Sequence, residues 1–172
     1  MNEEDHCRII SMEMGGNIPS VFTRFCKLSD AIKACAEANG SSLMWNETLG
    51  FLGTCPSNLG TGLRASVMIK LPEFNKLLES TEVPHEDKEL LEQVCSAFQL
   101  QPRGSGGEHS AAVDAKFDVS NKQRLGFSEV QLVQKMIDGV TNVIEMEKIL
   151  AAGGTPADVR NALAAMKAAA TA

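Results

Sequence analysis

The segment 128–150 constrains the fold most strongly, because its pattern predicts one long helix with a single apolar face. Ser128 and Gln131 have the spacing of a capping box, which begins a helix by satisfying its first backbone N–H groups. Large apolar residues then recur at helical spacing, at Val130, Val133, Ile137, Val140, Ile144 and Leu150. A face of this length must be covered by other elements, so this helix is expected to close the hydrophobic core.

Several further segments have strand-like patterns and predict the layer against which such helices pack. They are residues 7–12, 49–54, 65–71, 98–102 and 116–120. Helical patterns cover residues 20–39, 72–79 and 84–98, and a last helix begins at Thr155-Pro156. The sequence therefore predicts an α+β fold with an antiparallel sheet of about five strands. Helices are expected to cover one face of the sheet and to leave the other face for the functional site.

Composition argues against several classes of partner and site. The chain has 172 residues, a formal charge of −6 and six scattered arginines, so no basic stripe suggests nucleic-acid binding. No apolar run reaches the length needed to cross a membrane. The five cysteines form an odd set without Cys-x-x-Cys spacing, so neither disulfides nor a structural metal ion are expected. These features favour a reducing, cytoplasmic compartment.

Two glycine-rich loops carry the groups best suited to chemistry. The first, residues 54–64, has Cys55 near its start, Arg64 at its end and glycines that let the backbone approach a ligand closely. The second, residues 103–109, begins with Arg103 and contains Glu108. Alone, a glycine cluster is usually a turn and a cysteine is usually a packing residue, so the adjacent arginines are what indicate anion binding.

A third polar cluster, Glu3-Glu4-Asp5 followed by Arg8, lies at the start of the chain. Alone, an acidic run of this kind is usually a solvated terminus. If the strands share one sheet, the three arginines face a polyphosphate, and Glu4 and Glu108 lie near the Cys55 thiol. That set suits phosphoryl transfer to a cationic acceptor, because arginines neutralise the phosphoryl group and carboxylates orient and deprotonate a planar guanidine.

These residues resemble the phosphagen (guanidino) kinases, a family that includes creatine kinase and arginine kinase. The resemblance rests on residues 2–12, on loop 54–64 with Lys70-Leu71-Pro72, and on residues 103–109, and it continues from Asp118 to about Leu150. It implies the C-terminal part of a glutamine-synthetase-like catalytic domain over residues 1–150, followed by an alanine-rich helical tail over 151–172. It also implies ATP or ADP as the nucleotide, with Mg²⁺ held mainly through the phosphates.

The resemblance assigns a role to each candidate site residue. Glu4 matches the catalytic base and guanidinium clamp, Cys55 the thiol beside the guanidine, and Glu108 a second clamping carboxylate of arginine kinases. The residues expected to bind the nucleotide phosphates are Arg8, Arg64 and Arg103. Those expected to line the nucleotide are Ser105, Gly106, Gly107 and Asp118. Glu108 favours arginine as acceptor, with creatine or a related guanidine next, since residues 43–47 and 54–64 look closer to creatine kinase.

Two departures from the family pattern carry expectations of their own. Met68 stands where the family packs a histidine against adenine, so adenine packing would rest on a thioether. The family also has a helical N-terminal domain and early arginine-bearing strands, which do not precede Met1. Residues 1–172 alone are therefore expected to be inactive, and an exposed sheet edge is expected to favour a homodimer. The alternative is a non-catalytic remnant that binds nucleotide or oligomerises, and bacterial protein-arginine kinases are a third related class.

Overall fold

The computed structural model describes residues 7–104 and 112–170, with side chains up to residue 168. The chain divides into two compact units, Met1–Gly62 and Leu63–Ala172. All five cysteines are free thiols. Among the described residues, no helix combines the length and the hydropathy needed to span a lipid bilayer.

The first unit contains one long helix, α1, which covers Ile18–Ala38. Asn17 caps its start, because Asn17 Oδ1 accepts a hydrogen bond from the Ser20 backbone N–H at 3.3 Å. Gly40 follows its end at φ +72°, in the left-handed region that glycine adopts without strain. No residue of α1 is fully buried, so its apolar side is only partly covered within this structure.

The strand predicted at residues 7–12 is wrong, because this segment has no regular secondary structure. It bonds to α1 instead: Ser11 Oγ donates to the Val21 carbonyl at 2.8 Å, and Arg24 Nη2 donates to the Met12 carbonyl at 3.0 Å. A strand needs a neighbour to satisfy its backbone, and none of the strands in the described ranges pairs with this segment. The alternating sequence pattern is therefore not sufficient to form a ladder.

A short hairpin leads into the first glycine-rich loop. The local elements are β1 (Trp45–Asn46), β2 (Gly50–Phe51) and a 3-10 turn over Pro56–Asn58. The loop then returns to the hairpin, because the Gly60 N–H donates to the Leu49 carbonyl and the Gly60 carbonyl accepts from the Phe51 N–H, both at 2.7 Å. This return leaves β2 with two residues, so the strand predicted over 49–54 is shorter than expected.

The second unit contains a three-stranded antiparallel sheet with β5 in the middle. Its strands are β3 (Ser66–Lys70), β4 (Leu100–Gly104) and β5 (Lys116–Asn121), in the order β3-β5-β4. One face is buried through Leu100, Phe117 and Val119, and the opposite face carries most of the polar side chains. The α+β class with an antiparallel sheet is confirmed. The sheet has three strands, fewer than expected, because 7–12 forms no strand and 49–54 contributes only to the separate hairpin.

Helices complete the second unit. They are α2 (Pro72–Glu79), α3 (His85–Lys88), α4 (Leu90–Ala97), α5 (Glu129–Ala151) and α6 (Pro156–Ala170). Helix α4 packs against β4, and α5 packs against β5. The helix predicted over 84–98 is two helices that meet at Glu89. Arg160 ties α6 to α3 through an ion pair, with its Nη2 2.6 Å from Asp87 Oδ1.

Helix α5 begins as predicted, and its buried face overlaps the predicted one at Val133, Val140 and Leu150. In its capping box the Ser128 N–H donates to Gln131 Oε1 at 2.8 Å, and Ser128 Oγ accepts from the Gln131 N–H at 3.3 Å. Val130 and Ile144, both predicted to face the core, are 65% and 38% exposed. The buried apolar positions are Leu132, Val133, Met136, Val140, Val143, Met146 and Leu150. Since α5 contacts β5 as well as α2, α4 and α6, its buried stripe is wider than one helical series.

A buried carboxylate of α5 caps the start of α2. Leu71, which precedes α2, offers no side-chain cap. The Glu147 carboxylate takes this role, accepting hydrogen bonds from the backbone N–H groups of Glu73 at 2.7 Å and Phe74 at 3.1 Å. Burial raises the pKa of Glu147 above its ordinary 4.5, and the two N–H groups oppose that rise.

We expect Glu147→Ala to lower the free energy of unfolding by about 2 kcal/mol, because two N–H groups at the start of α2 lose their acceptor. Glu145→Ala is the matched control, since Glu145 lies on the same helix, is half exposed and pairs with Lys148. The control should cost less than about 0.5 kcal/mol. Urea denaturation of both variants measures the difference, and equal stabilities would contradict the capping role.

The raised pKa of Glu147 determines how the stability of the fold changes with pH. The pKa of Glu147 is raised in the folded protein above the unfolded value of 4.5, so the folded state binds this proton more tightly. The stabilising contribution is complete below the unfolded pKa and is lost as pH rises through the folded pKa. Position 147 no longer titrates in Glu147→Gln, so the wild-type protein should lose stability relative to this variant as pH rises above 4.5. A constant difference across that range would contradict the expectation.

Candidate active site

Three side chains form a row across the polar face of the sheet. Asp118 in β5 lies directly opposite Met68 in β3 and Arg103 in β4. Directly opposed residues of antiparallel strands point to the same face, with Cβ atoms about 5 Å apart. Their strand neighbours, among them Val67 and Val119, point to the apolar face. The row therefore places a carboxylate between a thioether and a guanidinium group.

Arg64 joins this row through an ion pair. It lies two residues before β3, and its Nη2 is 2.6 Å from Asp118 Oδ2. The side chains of Arg64 and Asp118 are 33% and 18% exposed, so solvent reaches the pair. Arg103 lies opposite the same aspartate. The structure thus brings two of the three arginines that were predicted to bind phosphate to one carboxylate.

Asn121 fixes the backbone on both sides of Arg64. Its Oδ1 accepts from the Ala65 N–H at 2.7 Å, and its Nδ2 donates to the Leu63 carbonyl at 3.1 Å and to the Gln123 carbonyl at 2.6 Å. The side chain is only 4% exposed, so these bonds are shielded from water. Asn121 therefore holds the main chain from which the Arg64 guanidinium extends.

The sequence reasoning did not single out Asn121 as a residue that builds the site, although a signal was present. Side chains alternate between the two faces of a strand, so Asn121 points to the same apolar face as Phe117 and Val119. An amide at such a position is costly unless its donors and acceptor are all bonded. An inward-facing asparagine at the end of an apolar strand thus indicated a structural clamp.

The thiol predicted to act on the acceptor lies in the first unit. Cys55 Sγ is 2.9 Å from Ser57 Oγ, and Cys55 is partly exposed. Either the thiol or the hydroxyl can be the donor of this hydrogen bond. Arg8 also belongs to the first unit, where it is exposed in the segment without regular structure.

Several predicted site residues lie outside the described residues. They are Glu4, Ser105, Gly106, Gly107 and Glu108. Their roles stay predictions, as do those assigned to Cys55 and to the arginines.

The side chains of the polar row fit a polyphosphate ligand. Arg64 and Arg103 carry planar guanidinium groups whose donors match two phosphate oxygens at once. Met68 is 55% exposed and offers a polarizable apolar surface in the same row, which suits a flat ring. Within residues 7–104 and 112–170, no group of three or more histidine, cysteine or acidic side chains could hold a metal ion.

Comparisons with known proteins match most of the chain. Residues 1–150 match the family model described as ATP:guanido phosphotransferase, C-terminal catalytic domain. The chain is 50% identical to the testis isozyme of creatine kinase from Oncorhynchus mykiss and 51% identical to B-type creatine kinase from Gallus gallus. Each match spans 153 residues, which is 89% of this chain and 37% of the relative.

The fold of this chain also matches a solved structure of a related kinase. The crystal structure of a lombricine kinase matches this chain with a TM-score of 0.77 and 47% sequence identity. The match covers 92% of this chain and 41% of the lombricine kinase chain, so the chain spans about two fifths of the length of its relatives. The resemblance noted from the sequence is confirmed, and the chain belongs to the ATP:guanido phosphotransferase family, matching its C-terminal catalytic domain.

Proposed function

We propose that this chain is the C-terminal catalytic part of a kinase that moves the terminal phosphate between ATP and a guanidino acceptor. The observation that carries the proposal is the polar row of the sheet, where Arg64 pairs with Asp118 and Arg103 lies opposite it. Since the chain spans 37% of the length of the creatine kinases it matches, the activity is proposed for the complete protein. A helical N-terminal domain would supply the surface that closes over the acceptor.

On the nucleotide side, the arginines act by neutralising charge that is spread over the phosphoryl oxygens. Arg64 and Arg103 would bind the phosphates together with Arg8, and their fixed donors need little reorganisation during transfer. The backbone at Ser105, Gly106 and Gly107 would approach the phosphates closely. Mg²⁺ held through the phosphates would add further charge neutralisation. Met68 would pack against the base.

On the acceptor side, the chemistry is alignment and removal of one proton. Glu4 would accept a proton from the attacking guanidino nitrogen, and Glu108 would hold a second nitrogen of the same planar cation. Cys55, whose Sγ lies 2.9 Å from Ser57 Oγ, would face the remaining nitrogen as an orienting thiolate and not as a nucleophile. This division gives each acceptor nitrogen a separate partner.

The acceptor is the finer part of the proposal. Glu108 favours arginine as the acceptor. The carboxylate of arginine lies far from its own guanidinium, so a second carboxylate of the enzyme can hold that group. Identities near 50% to two creatine kinases favour creatine as the second candidate. A coupled ADP-release assay of the complete gene product with arginine, creatine, lombricine and taurocyamine decides between them. If none of these four acceptors supports ADP release, guanidino phosphotransfer is contradicted.

Nucleotide binding can be measured on the 172-residue chain itself. Titration calorimetry with Mg-ADP should give measurable heat, because Arg64 pairs with Asp118 and Arg103 lies opposite the same residue. Absence of heat at millimolar nucleotide would remove the nucleotide-binding claim for this chain. Binding without any turnover by the complete protein would favour the non-catalytic alternative.

For Cys55→Ser in the complete enzyme, we expect turnover to fall by about tenfold to a hundredfold, because the orienting thiolate is replaced by a neutral hydroxyl. Chloride should restore part of the lost activity by supplying an anion in the same place. Cys35→Ser is the control, since Cys35 is an exposed free thiol on α1. Complete inactivity of Cys55→Ser at every chloride concentration would point to covalent chemistry.

Two further proposals concern assembly and location. The outer edges of β3 and β4 have no neighbouring strand among the described residues, which supports edge-to-edge pairing into a homodimer. Size-exclusion chromatography with light scattering tests this, and a strict monomer at high concentration would contradict it.

A cytoplasmic location is proposed from the free cysteines and from the reaction, which uses ATP.

A further inference from the structure

The ion pair between Arg64 and Asp118 occupies the guanidinium that the proposed function assigns to phosphate. Arg64 Nη2 is 2.6 Å from Asp118 Oδ2, so an internal carboxylate already stands where an external anion would bind. We propose that Asp118 is a displaceable internal anion, which holds the Arg64 guanidinium until phosphate arrives and competes with phosphate for it. This inference rests on the proposed function, and it makes Asp118 a positioning residue that acts on phosphate through Arg64.

The surroundings restrict the exchange to the Arg64 side chain. Asn121 bonds the Leu63 carbonyl and the Ala65 N–H, so the backbone on both sides of Arg64 is fixed. Asp118 lies on the middle strand of the sheet and is paired on both sides, so its own backbone is fixed as well. The guanidinium can therefore leave Asp118 by rotation of side-chain torsions alone, without any movement of the sheet.

The exposure and charge of the pair suit an exchange. Partly exposed ion pairs are weak enough to break, whereas fully buried ones leave a costly unpaired charge behind. The Arg64 and Asp118 side chains are 33% and 18% exposed, so this ion pair lies between a fully exposed pair and a fully buried one. Arg103 lies opposite Asp118, so the carboxylate still faces a cation after Arg64 turns to phosphate. A ligand that binds only the released guanidinium then shifts the population toward the released state.

The test uses inorganic pyrophosphate, which has neither base nor ribose and so isolates the phosphate contacts. In the 172-residue chain, Asp118→Asn should bind pyrophosphate about five to ten times more tightly than wild type, because the competing charge is gone. Asp118→Ser removes the same charge with a smaller side chain and should show the same gain. Titration calorimetry measures both affinities, and circular dichroism checks that each variant is folded.

A matched control exists in the second unit. Asp87 pairs with Arg160 at the same 2.6 Å, with side chains 20% and 30% exposed, and this pair joins α3 to α6 outside the sheet. Asp87→Asn makes the same change in net charge and breaks an equivalent ion pair. It should leave the pyrophosphate affinity within about twofold of wild type, since any long-range effect of one charge is screened by salt.

A double variant tests whether the gain in pyrophosphate affinity depends on Arg64. In Arg64→Ala, the added Asp118→Asn change should bring no gain in pyrophosphate affinity, because the Arg64 guanidinium for which carboxylate and phosphate compete is absent. A gain that persists without Arg64, an equal gain in Asp87→Asn, or no gain in Asp118→Asn and Asp118→Ser would each overturn the proposal. Failure of the proposed function looks different: pyrophosphate would still respond to Asp118→Asn, while Mg-ADP gave no heat and the complete protein no turnover.

Discussion

Arg64→Ala in the complete enzyme is expected to lower kcat by about a hundredfold to a thousandfold, with a smaller rise in the KM for ATP. The loss should fall mainly on kcat because, in the proposed function, the Arg64 guanidinium faces the transferred phosphoryl group and stabilises charge that develops in the transition state. Asn121 fixes the backbone on both sides of Arg64, so this side chain is the part of the loop with a defined aim. Steady-state kinetics with varied ATP separates the two parameters.

The control for this variant is Arg160→Ala, because the ion pair it removes has the same length and nearly the same exposure. Arg160 lies 2.6 Å from Asp87 with side chains 30% and 20% exposed, compared with 33% and 18% for Arg64 and Asp118. Arg160→Ala should lose at least as much stability, because Arg160 also donates to the Glu86 carbonyl and to Gln93, and only Arg64→Ala should lose turnover. Similar kinetics for the two variants would show that the activity loss came from weakened packing.

Arg64→Lys distinguishes the geometry of the guanidinium from its charge. Lysine keeps one positive charge but cannot donate to two phosphate oxygens in a fixed plane. We therefore expect Arg64→Lys to recover only a small part of the activity lost in Arg64→Ala. Full recovery would mean that charge alone is needed at this position.

The sequence predicted those elements whose pattern is local. The α5 capping box depends only on Ser128 and Gln131, and it is present as predicted. The three strands of the sheet were also predicted within two residues at each end, because each is bounded by turn residues or by proline. In contrast, residues 7–12 alternate like a strand and form none, since a strand depends on a neighbour that its own sequence does not specify.

The candidate site was predicted as a set of residues, and its geometry was not. Arg64, Arg103 and Asp118 were each named from the sequence, but their convergence depends on the register that places Arg103 opposite Asp118. The ion pair joins residues 54 positions apart in sequence, and no spacing pattern encodes it. The exposure of Val130 and Ile144, which were predicted to face the core, has a related cause, since helical spacing alone does not show that several elements surround α5.

Gly50→Ala is expected to disrupt the hairpin and the first glycine-rich loop. Gly50 has φ +69°, and a Cβ there would lie 2.7 Å from the Gly60 carbonyl carbon and Cα and still closer to the Gly60 oxygen. The neighbouring group is backbone held by its own hydrogen bonds, so it cannot turn aside as a flexible side chain would. We expect a loss of about 3 kcal/mol in the local stability of this segment from strain and overlap together.

Trp45 reports this change directly, because it is the only tryptophan of the chain and packs edge-on against Phe51 at 4.8 Å between ring centroids. Its fluorescence should shift to longer wavelength in Gly50→Ala, and Cys55 should react faster with a thiol reagent as the loop loosens. Gly16→Ala is the control, since Gly16 has no atom within 4 Å of the added Cβ and no positive φ. Equal fluorescence and equal thiol reactivity in the two variants would mean that the loop tolerates a side chain at position 50. The close approach of Gly50 and Gly60 would then not be what shapes the loop around Cys55.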